Sequence, residues 1–109
     1  MDNLTVDEFM AQIPKAFRPE KAVGTNAVIG FHLTGDDAGD WTVTIQDQKC
    51  TVEKAPAVNP RLTLTANTKD CMDVLTGKLD GMRAFMQGKL KLTGDAALAM
   101  KLVNFFKLP

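Results

Sequence analysis

His32 is the only histidine in the 109-residue chain and the only side chain whose ordinary pKa suits a general base near neutral pH. Apolar and polar residues alternate in NAVIGFHLT, which predicts a strand with His32 on its polar face, beside Thr44, Thr63 and Thr65 on other strands. A threonine hydroxyl without an activating partner is a poor nucleophile. We therefore interpret His32 as a surface residue and predict no catalytic residue and no enzymatic activity.

The acidic segment GDDAGD does not have the pattern of a metal site. Its carboxylates, Asp36, Asp37 and Asp40, lack the spacing of a calcium loop and its closing glutamate, so we interpret the segment as a hairpin turn. The two cysteines are not spaced as a metal-binding pair. Lys49 would lower the pKa of the neighbouring Cys50, but alternation in KCTVEK points this thiol inwards. We predict an inert buried thiol and no metal site.

Motifs for cofactors and nucleic acid are absent from the sequence. There is no P-loop and no GxGxxG, so no cofactor is predicted. One tryptophan and no tyrosine leave no stacking platform for single-stranded nucleic acid. The net charge is zero, but residues 1–54 hold nine acids and five bases, and residues 55–109 hold four acids and eight bases. This asymmetry indicates either an anionic partner, such as a phosphate or a membrane surface, or two halves that attract each other.

The length and composition predict one domain over residues 1–109, in the cytoplasm. A chain of this size buries enough surface for one core without metal or disulfide cross-links. Two cysteines do not make a secreted disulfide framework, and MDNLTVDEF lacks the basic and apolar regions of a signal peptide. No stretch approaches the ~18 apolar residues of a membrane span.

The first third of the chain predicts a helix and then strands. Thr5 and Glu8 form a capping box, and Pro14 is expected to break or kink the helix near Gln12. A short helical turn is expected in PEKAVG. Four strands with one apolar face follow, in NAVIGFHLT, DWTVTIQD, KCTVEK and RLTLTA. Since their other face is rich in threonine, we predict a mostly antiparallel sheet with helices on one face only.

The remaining elements are short helices, a fifth strand and an apolar last helix. NTKDCMDVLTGK and LDGMRAFMQG are each capped at the start and end at glycine, and Met82, Phe85 and Met86 are expected to point inwards. KLKLTG predicts the fifth strand, and the helical crossover before it would allow a parallel pair with the fourth. The last helix, from Asp95 to Leu108, contains polar residues only at Lys101, Asn104 and Lys107.

The last helix is more apolar than one sheet face requires. Its polar residues occupy an arc of about 120°, so about 240° of its surface is apolar, while packing on one sheet face needs a stripe of little more than about 100°. Other helices, a second subunit or a bound apolar ligand would cover the excess. An empty apolar cavity of about 300 Å³ would cost about 7 kcal/mol, which is comparable to the stability of a small domain. Such a space would therefore collapse or be occupied, and a fatty chain would fill it.

Two stretches of the chain are distinctive: LTGKLDGMRAFMQGKLKLTGDAALAMKL, residues 75–102, and NAVIGFHLTGDDAGDWTVTI. The first resembles most sharply, and the second resembles as a first hairpin, the sterol carrier protein 2 (SCP-2) domain family, and the resemblance runs nearly from end to end of the chain. It implies an α+β fold in which one five-stranded sheet is covered on one face by about five helices, with a hydrophobic tunnel between them. It also implies a non-enzymatic carrier that binds fatty acids, acyl-CoAs, phospholipids or sterols and transfers lipids between membranes.

By position in this fold, inward-facing side chains would line the tunnel. The ten residues expected there are Phe31, Trp41, Val43, Met82, Phe85, Met86, Met100, Leu102, Phe105 and Phe106. Basic residues of the second half are expected to flank the tunnel mouth and to meet an anionic headgroup or membrane surface. They are Lys78, Arg83, Lys89, Lys91, Lys101 and Lys107.

The chain departs from the family pattern at its last three residues. Lys107, Leu108 and Pro109 are not the peroxisomal Ser-Lys-Leu signal of many eukaryotic members. We therefore expect a stand-alone bacterial member, for which a fatty acid, acyl-CoA, phospholipid or isoprenoid is a better ligand than a sterol. The alternative is a non-catalytic interaction module that uses the apolar last helix as a dimer contact. We expect a monomer or a weak homodimer.

Overall fold

The computed structural model describes residues 5–35 and 38–106, which form an α+β fold with five strands and four α-helices. The helices are α1 (Val6–Ala16), α2 (Thr68–Leu75), α3 (Gly81–Met86) and α4 (Ala96–Leu102). The strands are β1 (Ala27–Thr34), β2 (Gly39–Gln46), β3 (Lys49–Glu53), β4 (Leu62–Asn67) and β5 (Leu90–Gly94). Single turns of 3₁₀ helix lie at Pro19–Lys21 and Val103–Phe105. The predicted fold class and five strands are confirmed, with four α-helices in place of about five.

The strands form one mixed sheet in the order β3-β2-β1-β4-β5. Three neighbouring pairs are antiparallel, and the parallel pair is β1 with β4. The parallel pairing of β4 with β5 that the helical crossover would allow is not formed, because Ala66 at the end of β4 lies opposite Leu90 at the start of β5. The connection through α2 and α3 thus returns the chain to the end of β4 that it left, so β5 runs backwards along it.

One face of the sheet forms the core, as the alternation predicts. Ile29, Phe31, Val43, Ile45 and their neighbours on this face are buried, together with the Val6, Phe9, Met10 and Ile13 side chains of α1. The opposite face carries the threonines, but it is not fully open. The 55–60 loop crosses it, and a Cβ atom added to the buried Gly30 would lie 3.1 Å from the Cβ of Ala57. Glycine in the central strand therefore lets this loop lie close to the sheet.

Helix α1 has the predicted capping box but is not broken at proline. The backbone N–H of Glu8 donates to the Thr5 hydroxyl over 3.1 Å, and that of Thr5 donates to the Glu8 carboxylate over 3.1 Å. The helix continues through Pro14 to Ala16, so of the expected break or kink near Gln12 the break is excluded. Pro14 removes one intrahelical hydrogen bond, while the buried Ile13 before it and the partly buried Ala16 and Phe17 after it pack against the core.

The last helical segment is shorter than predicted. Helix α4 ends at Leu102 and a 3₁₀ turn follows, so the prediction of one helix to Leu108 is wrong, and residues 107–109 lie outside the described residues. The tighter turn brings Phe105 and Phe106 into the core beside the end of α1. There the ring centroids of Phe17 and Phe106 are 5.8 Å apart, and the backbone N–H of Arg18 donates to the Phe105 carbonyl over 2.7 Å. The end of α1 therefore covers part of the apolar surface of the last helical segment.

Candidate functional site

An apolar groove of about 330 Å³ lies between helices α2, α3 and α4 and the β4–β5 edge of the sheet. Among the described lining residues the only ionisable one is Asp80, whose carboxylate accepts a hydrogen bond from the backbone N–H of Arg83 over 3.4 Å and so caps α3. The groove is lined by Leu64, Val74, Leu75, Asp80, Gly81, Met82, Phe85, Leu90, Leu92, Ala96, Ala99, Met100 and Leu102. A cavity with this lining has no means of recognising a polar substrate, but it provides an apolar surface for a hydrocarbon.

Alternating leucines of β4 and β5 form the floor of the groove. Leu64 lies opposite Leu92, and Leu90 lies beside them on the same face. Leu64 and Leu90 are buried, whereas Leu92 is half-buried at the edge strand. Because side chains two residues apart share one sheet face, the alternation that forms the core also forms this floor.

The two sides of the groove differ in how tightly their helices pack. On one side α3 approaches α2 closely, because a Cβ atom added to Gly81 would lie 3.5 Å from Cγ1 of the buried Val74. On the other side Leu102 of α4 is buried, while Ala99 is only half-buried. Small residues at Gly81 and Ala99 leave the space that larger side chains would fill.

The rim of the groove exposes large apolar side chains. Met82 is 53% exposed, Phe85 48% and Met100 65%. Clustered exposed apolar side chains around a cavity mark an interaction or ligand site on proteins of this size. Methionine, which is unbranched and adaptable, suits a surface that contacts partners of variable shape.

Four of the ten side chains expected around a tunnel line this groove: Met82, Phe85, Met100 and Leu102. Met82 and Phe85 border the groove but are half-exposed, whereas Met86, also expected to point inwards, is exposed outside it. Ala84 is the buried residue of this helix. The apolar face of α3 is turned outwards, and its small residue faces the protein. For all ten residues, contact with a ligand stays a prediction.

The other six residues lie away from the groove. Phe31, Trp41 and Val43 are buried in the core, as are Phe105 and Phe106, and Met86 lies on the outer side of α3. Trp41 contacts the start of α1 through Lys54, whose ammonium lies 5.4 Å from the indole centroid and 3.0 Å from an Asp7 carboxylate oxygen. The Nε1 atom of Trp41 is buried and has no hydrogen-bond partner among residues 5–35 and 38–106.

Sequence reasoning did not assign several lining residues to the site. Alternation in RLTLTA and KLKLTG places the leucines of β4 and β5 on the apolar sheet face, but it does not distinguish a core position from a position at a ligand. No sequence pattern marks Ala96, Ala99 and Gly81 as lining residues, because a small residue at a cavity wall cannot be told from a small residue in a packed core.

The candidate chemistry lies on the opposite sheet face. As predicted, His32 is exposed there, but register places it opposite Asp40, and its Nδ1 is 2.6 Å from an Asp40 carboxylate oxygen. Together with Thr63 and Thr65 this pair borders a depression of about 270 Å³ that Trp41, Pro56 and Pro60 also line. Asp36 and Asp37 lie outside the described residues. Within those residues no group of three or more His, Cys, Asp or Glu side chains has the arrangement of a metal site.

The two thiols are poor nucleophiles near neutral pH. Burial raises the pKa of Cys71 to about 12, and it raises the pKa of the half-buried Cys50 to about 11. Desolvation therefore outweighs any effect of Lys49 on Cys50, which is less completely inward than expected.

The predicted basic residues that the structure describes have exposed positions, and none of them lines the groove. Arg83, Lys89, Lys91 and Lys101 are exposed, and Arg83 and Lys101 each follow a methionine of the rim. Lys101 instead borders a separate basic depression with Arg18, Lys21 and Asn104. Lys107 lies outside the described residues.

Residues 6–107 match the model of the SCP-2 sterol transfer family. Hydroxysteroid dehydrogenase-like protein 2 of Xenopus laevis is 29% identical over 102 residues, which cover 93% of this chain and 24% of that protein. The chain thus spans about a quarter of the length of this relative.

Two solved structures are similar to the fold. Palmitated SCP2L2 from Aedes aegypti is 28% identical and has a TM-score of 0.68, over 91% of this chain and 88% of that one. The sec-alkylsulfatase Pisa1 from a Pseudomonas species has a TM-score of 0.87 at 21% identity, over 99% of this chain and 17% of that one. At this identity the sulfatase shows a shared fold alone. Among the described residues, none of the helices is both long and apolar enough to cross a membrane.

Proposed function

The chain belongs to the SCP-2 sterol transfer family, and we propose that it is a lipid carrier that holds an apolar chain in the groove between α2, α3, α4 and the sheet. The observation that carries this proposal is the groove itself, about 330 Å³ with one ionisable residue in its lining. A carrier needs a surface that shields hydrocarbon from water, and the half-exposed Met82 and Phe85 would be covered by such a ligand.

The free energy of this binding comes from hydrocarbon burial. Removing ten methylene groups from water is worth about 8 kcal/mol before the costs of association. A polar substrate would gain nothing comparable, since Asp80 already caps α3 and the other lining side chains are apolar. The groove therefore favours ligands by the length of their apolar chain.

We propose a fatty acid or the acyl chain of an acyl-CoA as the preferred ligand, ahead of a phospholipid or a sterol-like molecule. The volume is at the lower end of the range of about 300 to 1,000 Å³ for small-molecule pockets, which suits one chain better than two chains or a fused ring system. The palmitated state of the similar Aedes aegypti protein supports this choice.

The groove is open on the side of α3, and we propose that ligand binding converts it into a tunnel. Closure would bring Met82 and Phe85 over the bound chain and would reduce their exposure. A long chain would extend towards the predicted lining residues that are now core, above all Phe31, which lies beside Leu64 across the β1–β4 pair. This extension requires local opening, which short helices permit at low cost.

The proposed carrier is not an enzyme. The thiols have raised pKa values, and the His32–Asp40 pair lies on the sheet face opposite the groove. An acyl chain in the groove would therefore not reach this pair. We also propose a cytoplasmic location, since two free thiols suit a reducing compartment.

A second candidate function is a dimerisation module that uses α4. The observation in its favour is Met100, which is 65% exposed on this helix and would be covered by a second copy. In that case the mass of the protein would depend on its concentration, and the protein would show no affinity for lipid.

Native mass spectrometry of the purified protein, followed by solvent extraction, separates the two functions. The carrier proposal predicts a monomer that retains lipid or takes up added palmitate at one equivalent. A lipid-free dimer that takes up no fatty acid would contradict it.

A further inference from the structure

Helix α3 presents its apolar face to solvent. At about 100° per residue, Met82, Phe85 and Met86 fall within an arc of about 100°, and Ala84 lies on the opposite side. Ala84 is fully buried, while the three larger side chains are exposed. This is the reverse of the usual arrangement of a surface helix, whose large apolar residues face the core.

The groove explains only part of this outward face. Met82 and Phe85 line it, but Met86 does not, although Met86 is the most exposed of the three at 78%. A ligand held in the groove would leave this side chain in water. The groove therefore does not account for the exposure of Met86.

The charge around α3 indicates a partner for this face. Arg83 lies on α3 and Lys89 follows it, whereas Lys91 lies opposite Thr65 and so points to the other face of the sheet. Asp80, a carboxylate next to the helix, accepts a hydrogen bond from the backbone N–H of Arg83 and caps the first turn. Arg83 and Lys89 are exposed, and neither forms an ion pair with another residue in the described ranges 5–35 and 38–106. An apolar helix face bordered by unpaired cations is typical of segments that lie in the interface of an anionic membrane.

We infer that α3 is the docking helix for an anionic phospholipid bilayer, with Met86 inserted at the interface and Arg83 and Lys89 at the lipid phosphates. This inference rests on the proposed function, because the mouth of the groove opens beside the docked helix and a lipid would enter it from the bilayer. A second copy fits the same surface poorly. A twofold interface would place the cations of one α3 against those of the other.

The test compares two neutral substitutions at equally exposed residues on different parts of the surface. Met86→Gln replaces an apolar side chain of α3 that is 78% exposed. Val58→Gln replaces an apolar side chain that is 79% exposed, on the loop over the opposite sheet face. Co-sedimentation is measured with phosphatidylcholine vesicles, with and without phosphatidylglycerol, at low and high salt. Arg83→Gln is measured as the charge variant.

We expect the wild-type protein to bind phosphatidylglycerol vesicles and to lose this binding at high salt. Met86→Gln should bind about tenfold more weakly, Arg83→Gln about fivefold more weakly, and Val58→Gln like the wild type. Vesicle binding that ignores phosphatidylglycerol, or equal effects of Met86→Gln and Val58→Gln, would overturn the inference. So would a wild-type dimer that Met86→Gln converts into a monomer.

A second measurement separates this inference from the proposed function. Uptake of a fluorescent fatty acid by the wild-type protein is measured without vesicles, because filling the groove does not require a bilayer. If the wild-type protein took up no fatty acid, the carrier proposal would be contradicted, and the comparison of vesicle binding would still be valid. Normal uptake with no vesicle binding would overturn the docking helix alone.

Discussion

The Nε–H of Arg61 donates to a carboxylate oxygen of Asp95 over 2.9 Å, and the backbone N–H of Asp95 donates to the Arg61 carbonyl over 3.0 Å. The other oxygen of the same carboxylate accepts a hydrogen bond from the backbone N–H of Leu98 over 3.1 Å and caps α4. Asp95 thus joins the start of β4 to the helix that carries Ala99 and Leu102, two residues of the groove wall.

We predict that Asp95→Ala lowers both stability and lipid affinity. Loss of the cap frays the first turn of α4 and moves its groove wall, while loss of the ion pair frees Arg61. Asp95→Asn should retain most of the lipid affinity, because an amide oxygen still accepts the Leu98 hydrogen bond. Thermal unfolding and fatty-acid titration of the two variants check this. An Asp95→Ala protein with wild-type melting and affinity would contradict it.

We predict that Asp95 makes the fold less stable in acid. The hydrogen bond from Leu98 and the charge of Arg61 hold the pKa of Asp95 below its ordinary value of 3.8. The stabilisation is therefore complete above the unfolded-state pKa and is lost as the pH falls through the lower folded-state value. Urea unfolding at a series of pH values should show a smaller acid-induced loss in Asp95→Asn than in the wild type. Identical pH profiles would mean that this carboxylate does not contribute.

Gly94 is predicted to be intolerant of any side chain. Its φ is +109°, and an added Cβ atom would overlap the carbonyl oxygen of Arg61. Gly88 is a matched control with φ of +77° and no atom within 4 Å of an added Cβ. Gly88→Ala should cost about 1 to 2 kcal/mol from backbone conformation alone, and Gly94→Ala should cost more. Equal free energies of unfolding for the two variants would contradict the close contact with Arg61.

The thiols are predicted to react slowly in the folded protein. The pKa of Cys50 is raised from 9.0 to about 11 by burial, which lowers its thiolate fraction at neutral pH roughly a hundredfold. The more buried Cys71 should react more slowly still. Thiol labelling of Cys50→Ser and Cys71→Ser proteins, in buffer and in denaturant, measures each rate. Labelling of Cys71 as fast in buffer as in denaturant would contradict its burial.

Periodicity was sufficient to predict the sheet, because a strand that buries one face must alternate along its whole length. The same reasoning predicted the capping box of Thr5 and Glu8, which depends only on residues three positions apart. These features could be predicted because they are local or follow from one repeated pattern, and the structure confirms them.

The orientation of α3 could not be predicted in the same way. The spacing of Met82, Phe85 and Met86 defines an apolar face but does not tell whether that face meets the core or solvent. The outcome depends on Ala84 and Gly81, whose small size lets the opposite side of the helix pack closely on the protein. The side-chain contact of His32 with Asp40 was missed for a related reason, since it follows from the register of β1 against β2.

The most direct test of the carrier uses two alanines on one helix. Ala99 lines the groove and Ala97 is exposed outside it, so Phe at either position has the same effect on helix propensity. A ring at position 99 that excludes two methylene groups of the ligand should weaken fatty-acid binding by about tenfold. In titrations of a fluorescent fatty acid, we predict this loss for Ala99→Phe and wild-type affinity for Ala97→Phe. Equal affinities in all three proteins would show that the groove does not hold the lipid.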